Sequence, residues 1–186
     1  MPAYFVIAFI VLSFVVSLPR HASAQLPASA DRAVHAANKY QIFPNLTYLT
    51  ASNYEAKLDI YKRRDTTGPQ KTVIYMHGGF WAAGTKEGSL MSLMPWLEMG
   101  WNVVNVEYRL GAAVDPSTLA PAAVDDCFCA LRFVSALPAN YNIDKNRIVV
   151  TGESAGGHLA LAMGIIPEGA GFGRECAGAG AAPAVS

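Results

Sequence analysis

Alternating strand-like and helix-like stretches predict an α/β chain with a mostly parallel sheet and helices on both faces. Short β-branched runs at Lys71–Met76, Asn102–Glu107 and Arg147–Thr151 read as buried strands. Ala/Leu-rich stretches of helical length lie between and after them, and repeated strand–helix units favour parallel strands with right-handed crossovers. No internal repeat and no heptad pattern competes with that reading.

Taken in order, residues 1–24 have the form of a signal peptide. Tyr4 to Leu18 is uncharged and apolar, and Ala22-Ser23-Ala24 is a small-x-small cleavage site. The apolar core is shorter than the roughly 20 residues a membrane span needs, so no stable span is expected and the protein is expected to be secreted or periplasmic. A departure is the missing Lys or Arg near Met1, which leaves a short uncleaved anchor as the alternative. Cleavage after Ala24 removes one Arg and no acid, leaving 13 basic and 14 acidic residues and a net charge near −1. That balance suggests neither nucleic acid nor an anionic surface as a partner.

Residues 25–45 read as an N-terminal arm with a helical stretch around Asp31 to Tyr40, and residues 46–186 as the start of the main domain. Leu46–Leu49 and Ala56–Tyr61 are leading strands, ended by the polar linker Lys62–Gln70. After the strand Lys71–Met76 comes a helix-like segment, Lys86–Met99, interrupted by Pro95. A loop to about Thr118 leads into a helix with Pro121 in its first turn, running to about Ala136. Asn140–Asn146 turns into the strand Arg147–Thr151, and the next helix reaches about Ile166. From Pro167 the chain is rich in Gly and Ala, which taken alone is a flexible tail.

Two motifs carry chemistry. Gly152-Glu153-Ser154-Ala155-Gly156 lies between a β-branched strand and an Ala/Leu helix, the context a nucleophile elbow requires. A serine there sits on a turn tight enough to lift its hydroxyl clear of the sheet, and Gly152 and Gly156 flank it where a Cβ would collide. The helix start aims free backbone N–H groups at the same place. His77-Gly78-Gly79-Phe80-Trp81 follows another strand, and its paired glycines let backbone N–H groups turn towards a ligand.

The sequence resembles secreted esterases of the α/β-hydrolase superfamily that carry an HGG-x-W oxyanion signature, among them feruloyl-esterase-like and hormone-sensitive-lipase-like enzymes and the related kynurenine formamidases. The matching stretches are Leu58-Asp59-Ile60-Tyr61, His77 to Trp81, Asn105 to Leu110, Pro121 to Asp126 and Gly152 to Ala160. The resemblance implies a partial α/β-hydrolase fold with its last strands missing. It implies Ser154 as catalytic nucleophile and the N–H groups of Gly79, Phe80 and Ala155 as the oxyanion hole. His77, Gly78, Trp81, Gly152, Glu153 and Gly156 support the motifs.

In this superfamily the triad runs Ser, acid, His along the chain, yet no histidine follows His158. About three more strand–helix units of roughly 30 residues are expected beyond Ser186, Pro183-Ala184-Val185-Ser186 being where the next strand begins. The strand Arg147–Thr151 is then an exposed sheet edge. His158 reads as a packed or capping side chain, His77 as a support of its own loop, and His35 and His21 lie in the arm and the leader. Asp125 and Asp126 read as helix-start residues, Asp144 and Asp115 as turn formers. Glu153 adjoins the nucleophile but is expected to point away. Phe80 and Trp81 border an acyl or aromatic pocket, or else belong to the core.

Cys127 and Cys129 face different sides of one helix and do not bridge each other; Cys176 is able to pair with either. Asn45-Leu46-Thr47 fits the N-glycosylation pattern. No cofactor and no metal is implied, since no cluster has ligand spacing. The expected function is serine carboxylic-ester hydrolysis of a small-molecule ester, with this stretch inactive by itself. The alternatives are amide hydrolysis on the same scaffold (arylformamidase or peptidase) and a non-catalytic fragment.

Overall fold

The computed structural model describes residues 27–51, 53–111, 119–174 and 176. The proposed leader, the loop carrying Asp115 and the Gly/Ala stretch from Ala177 lie outside the described residues.

Five strands form one sheet in the order β1-β2-β4-β3-β5. They are β1 (Tyr40–Ala51), β2 (Tyr54–Arg63), β3 (Gln70–Met76), β4 (Asn102–Val106) and β5 (Ile143–Gly152). β1 and β2 form an antiparallel pair and β2 runs antiparallel to β4, whereas β3 lies parallel to both β4 and β5. The helices are α1 (Ala28–Lys39), α2 (Leu90–Glu98), α3 (Leu119–Ala136) and α4 (Ala155–Ile165). The expected α/β class with helices on both faces is what the chain adopts, but the sheet expected to be mostly parallel is mixed, its β1–β2 and β2–β4 pairings being antiparallel.

Alternation along the central strands sorts side chains to the two faces. Ile74 and Met76 of β3 and Val104 and Val106 of β4 join Ala123, Phe128, Leu131, Leu159 and Met163 in a core under α3 and α4. Val73 and Tyr75 of β3 and Val103 of β4 face the opposite way and pack with Leu93 and Leu97 of α2. Tyr40 closes that second core, its hydroxyl donating to the carbonyl of Leu97 at 2.8 Å. Each fully buried side chain of this kind contributes roughly 1.5–3 kcal/mol.

Several boundaries differ from expectation. The arm holds more structure than its composition suggests: α1 begins at Ala28, and Tyr40 to Phe43 already pair with β2. A β-bulge between Phe43 and Leu46, with Asn45 at φ 56, hides this strand from a period-2 reading. β5 likewise begins at Ile143, inside the expected turn, because Gln70 pairs with Ile143 before the register shifts. Pro95, expected to interrupt this helix, lies inside a continuous α2. Both Pro95 and Met91, one turn earlier, are exposed, so water can satisfy the carbonyl that loses its donor.

The Gly/Ala segment after α4 is fastened to α3 as far as Cys176. Cys176 is disulfide-bonded to Cys129, Phe172 stacks on Phe128, the backbone N–H of Gly173 donates to Asp125, and Arg132 donates to the Gly173 carbonyl at 2.6 Å. As far as Cys176 this stretch is packed on the fold and is not a loose tail. β5 has β3 as its one neighbour among the described residues, and Leu161 and Ile165 of α4 are bare at 67% and 77% exposure.

Thiol titration of the denatured, unreduced chain is expected to find one free thiol, Cys127, and three after reduction. Opening this bridge, which spans 47 residues, is expected to lower stability by roughly 2–4 kcal/mol in urea unfolding. Three free thiols without reduction would contradict the assigned pairing.

Candidate active site

The two motifs meet at the C-terminal end of β3. Ser154 sits between β5 and α4 with φ 51 and ψ −115, a conformation that non-glycine residues rarely hold. A Cβ on Gly152 would lie 2.4 Å from the Met76 carbonyl oxygen, and one on Gly156 only 2.1 Å from the same atom. These contacts are the reason for glycine on both sides of the serine. The elbow closes with Gly156 N–H donating to Glu153 O at 2.8 Å and His158 N–H to Ser154 O at 3.1 Å. Ala155, first residue of α4, has a backbone N–H with no intrahelical partner. Ser154 and Glu153 are exposed, whereas Ala155 and Gly156 are buried.

The loop after β3 lies against this turn. A Cβ on Gly78 would stand 3.4 Å from Ser154 Cβ and 3.1 Å from Glu153 Cγ, so the paired glycines and the serine share one site. Glu153 therefore packs its side chain on the loop. Gly79 has φ 121, and Phe80 and Trp81 have φ 56 and 58. Consecutive left-handed residues turn the chain sharply, after which the N–H groups of Ala82 and Ala83 both donate to Gly79 O. Phe80 is 79% exposed, so it belongs to the rim of the site and not to the core. Trp81 is half-buried and meets the edge of His158 at 5.2 Å.

His77 is buried beneath the loop. Its Nδ1 donates to the Gly78 carbonyl at 2.7 Å, since a carbonyl only accepts, and its ring stacks on Tyr108 at 4.3 Å. The Tyr108 hydroxyl donates to His77 O at 2.7 Å. Burial pushes the Tyr108 hydroxyl well above the usual tyrosine range, so it stays a neutral donor. Burial does the same to the Cys127 thiol, which removes that cysteine as a nucleophile.

Other expected residues stand elsewhere. Asp125 and Asp126 are not at a helix start: α3 begins at Leu119, and both lie further along it. Asp126 is buried, accepts from Arg109 N–H at 2.7 Å and pairs with the Arg109 guanidinium at 2.7 Å. Burial raises its carboxyl above the usual range, against the lowering effect of Arg109. Asp144, expected in a turn, lies instead in the irregular first part of β5, where it accepts from Asn146 N–H at 3.0 Å and pairs with Arg147. Among the described residues no three His, Cys, Asp or Glu side chains are grouped to hold a metal, and no helix is long and apolar enough to cross a membrane.

A buried polar cluster behind the loop escaped the sequence reading. Lys86, 4% exposed, pairs with Asp59 of β2 at 2.9 Å and with Glu87 at 2.5 Å. Burial alone would lower the Lys86 ammonium, and these carboxylates instead hold it above the usual lysine range. Asn105 Nδ2 donates to Lys86 O at 2.6 Å, and Lys86 N–H donates to Glu107 at 2.6 Å. The only sequence signal was a charged residue, Asp59, inside an apolar strand.

The BD-FAE family profile matches residues 58–183. The chain belongs to the BD-FAE family. This BD-FAE chain is 36% identical over 113 residues to a probable carboxylic ester hydrolase, LipM, of Mycobacterium tuberculosis, a match covering 59% of the chain and 25% of the relative. It is 32% identical over 117 residues to an arylesterase of Saccharolobus solfataricus, covering 61% of the chain and 36% of the relative. Among solved structures it superposes on esterase 2 of Thermogutta terrifontis with TM-score 0.61 and 25% identity, over 70% of this chain and 48% of that one. The chain thus spans a quarter to about a third of these curated relatives and about half of the solved esterase. The BD-FAE chain has part of an α/β-hydrolase fold and is similar to carboxylesterases over the residues they share.

Gly156→Ala is expected to destabilise the fold by about 3 kcal/mol or more, because backbone oxygen stands where the methyl must go. Gly164→Ala, in the same helix with nothing within 4 Å of its Cβ, is expected to be neutral or stabilising by up to about 1 kcal/mol. Equal midpoints for the two variants in urea unfolding would contradict the packing of the elbow.

Proposed function

We propose that the chain carries the nucleophile and oxyanion half of a serine carboxylic-ester hydrolase that works through an acyl-enzyme. The observation that supports this most is Ser154 at φ 51, exposed, and packed beside Gly78 of the loop after β3. In the proposed reaction Ser154 Oγ attacks the ester carbonyl carbon while a base takes the hydroxyl proton. The carbonyl π pair moves to oxygen, where the N–H groups of Ala155, Gly79 and Phe80 receive it. Collapse of the adduct expels the alcohol, protonated by the conjugate acid, and water repeats the sequence to release the carboxylate. None of this requires a cofactor.

The base is proposed to come from beyond Ser186. His158 has its ring against Trp81, His77 is enclosed by Tyr108 and Gly78, and His35 lies on α1. Among the described residues no histidine nitrogen is hydrogen-bonded to Ser154. Without a base a serine hydroxyl is a poor nucleophile, and losing it lowers turnover by on the order of a million-fold. The Cys129–Cys176 bond and the apolar leader favour a secreted or periplasmic protein.

Residues 1–186 alone are expected to hydrolyse p-nitrophenyl acetate at the buffer rate. The coding sequence read in frame past Ser186 is expected to supply an acid and then a histidine. That longer protein is expected to turn the ester over, and Ser154→Ala to lower kcat by about 10⁴- to 10⁶-fold. Robust Ser154-dependent turnover by residues 1–186 would show a base already in place. A longer protein that cleaves aryl formamides but not esters moves the reading to amide chemistry. A stop codon after Ser186 with no hydrolysis supports a non-catalytic role.

A further inference from the structure

We infer that Glu107 is a positioning residue: a single carboxylate that clamps both ends of the loop from His77 to Lys86 and so holds the Gly79 and Phe80 N–H groups beside Ser154. The inference rests on the serine-esterase reading for the purpose of the loop, while the clamp itself is read from geometry.

The two oxygens of Glu107 are used separately. Oε2 accepts from Lys86 N–H at 2.6 Å, at the exit of the loop. Oε1 stands 3.5 Å from His77 Nε2, at its entrance. With Nδ1 donating to Gly78 O, Nε2 attracts this carboxylate as part of an imidazolium, at ion-pair distance without hydrogen-bond alignment, and it has no other hydrogen-bond partner. Glu107 itself is fixed from behind, because its N–H donates to Lys57 O at 2.9 Å and its carbonyl accepts from the Tyr48 hydroxyl at 2.7 Å. It follows directly on β4, the central strand next to β3, so the clamp is mounted on the stiffest part of the sheet.

The loop needs such a support. It contains three successive positive φ angles, at Gly79, Phe80 and Trp81, and its internal backbone bonds are those of Ala82 and Ala83 to Gly79. It also folds back on itself: a Cβ on Gly84 would lie 2.6 Å from both Gly78 O and His77 Nδ1. Its exit is held by Lys86, whose carbonyl accepts from Asn105 and whose ammonium is paired with Asp59. Asp59 in turn accepts from Asn45 N–H at 2.7 Å in the β1 bulge. Glu107 is the member of this cluster that reaches both ends. A hydrogen bond to an ionised acceptor is about twice as strong as a neutral one, and here it fixes backbone rather than a mobile side chain.

The test is residue-resolved amide exchange of the full chain, wild type against Glu107→Ala and Glu107→Gln, read as a function of low urea to separate local opening from global unfolding. In Glu107→Ala the amides of Ala82 and Ala83 are expected to exchange about tenfold faster with little urea dependence, the effect of one lost hydrogen bond to a charged group. Amides of Val104 and Leu159 follow global stability only. Gln keeps an acceptor for Lys86 N–H, so Glu107→Gln is expected to restore exchange to within about twofold of wild type. Unchanged Ala82 and Ala83 exchange, acceleration spread evenly over the core, or a Gln variant as open as Ala overturns the clamp. The readout needs no turnover: an unsupported clamp leaves the serine-esterase reading standing, and absence of Ser154-dependent hydrolysis leaves the clamp standing.

Discussion

The carbonyl group of Met76, last residue of β3, is the point on which the candidate site is built. Two glycines of the elbow approach its oxygen so closely that neither position tolerates a Cβ. That contact places the start of α4 over the end of β3 and forces Ser154 into its left-handed turn. The same strand end releases the loop His77–Lys86, so Ser154 and the loop are referenced to a single atom. Site precision here comes from backbone on backbone, which side-chain motion cannot relax.

Two different kinds of physics hold the two halves of this arrangement. The elbow is fixed by close packing and strain, with the parallel pairing of β3 and β5 beneath it. The loop is fixed by charge: Asp59, Lys86 and Glu107 bring ionised groups out of water, which costs free energy unless all are paired. Their pairing is extensive, and its effect is to commit a loop with unfavourable φ angles to one shape. A buried ion cluster of this kind specifies geometry more than it adds stability.

The central strands themselves, both motifs and the glycines that flank Ser154 were legible in the sequence, because β-branched runs and glycine patterns are local signals. What was not legible was set by contacts distant along the chain. Tyr40 to Phe43 pair with β2 across a bulge that breaks the alternation, so the first strand reads as part of an arm. Asp125 and Asp126 look like helix-start acids, yet one caps Gly173 and the other takes Arg109. Cys129 and Cys127 are indistinguishable by spacing alone, and the path of the segment at Phe172 decides between them. Glu107 sits in a stretch that the family resemblance marked, and only the fold gives it a task.

The loop after β3 and the elbow pack together as one unit, with Gly78 against Ser154. A nuclear Overhauser contact between Gly78 Hα and the β-protons of Ser154 in the free chain tests it most directly. The close approach of Gly78 to Ser154 Cβ predicts a clear cross-peak, accompanied by one from Gly156 Hα to the end of β3. Absence of the Gly78–Ser154 cross-peak in an otherwise folded spectrum would contradict this packing, because Ser154 and the loop would then be held separately.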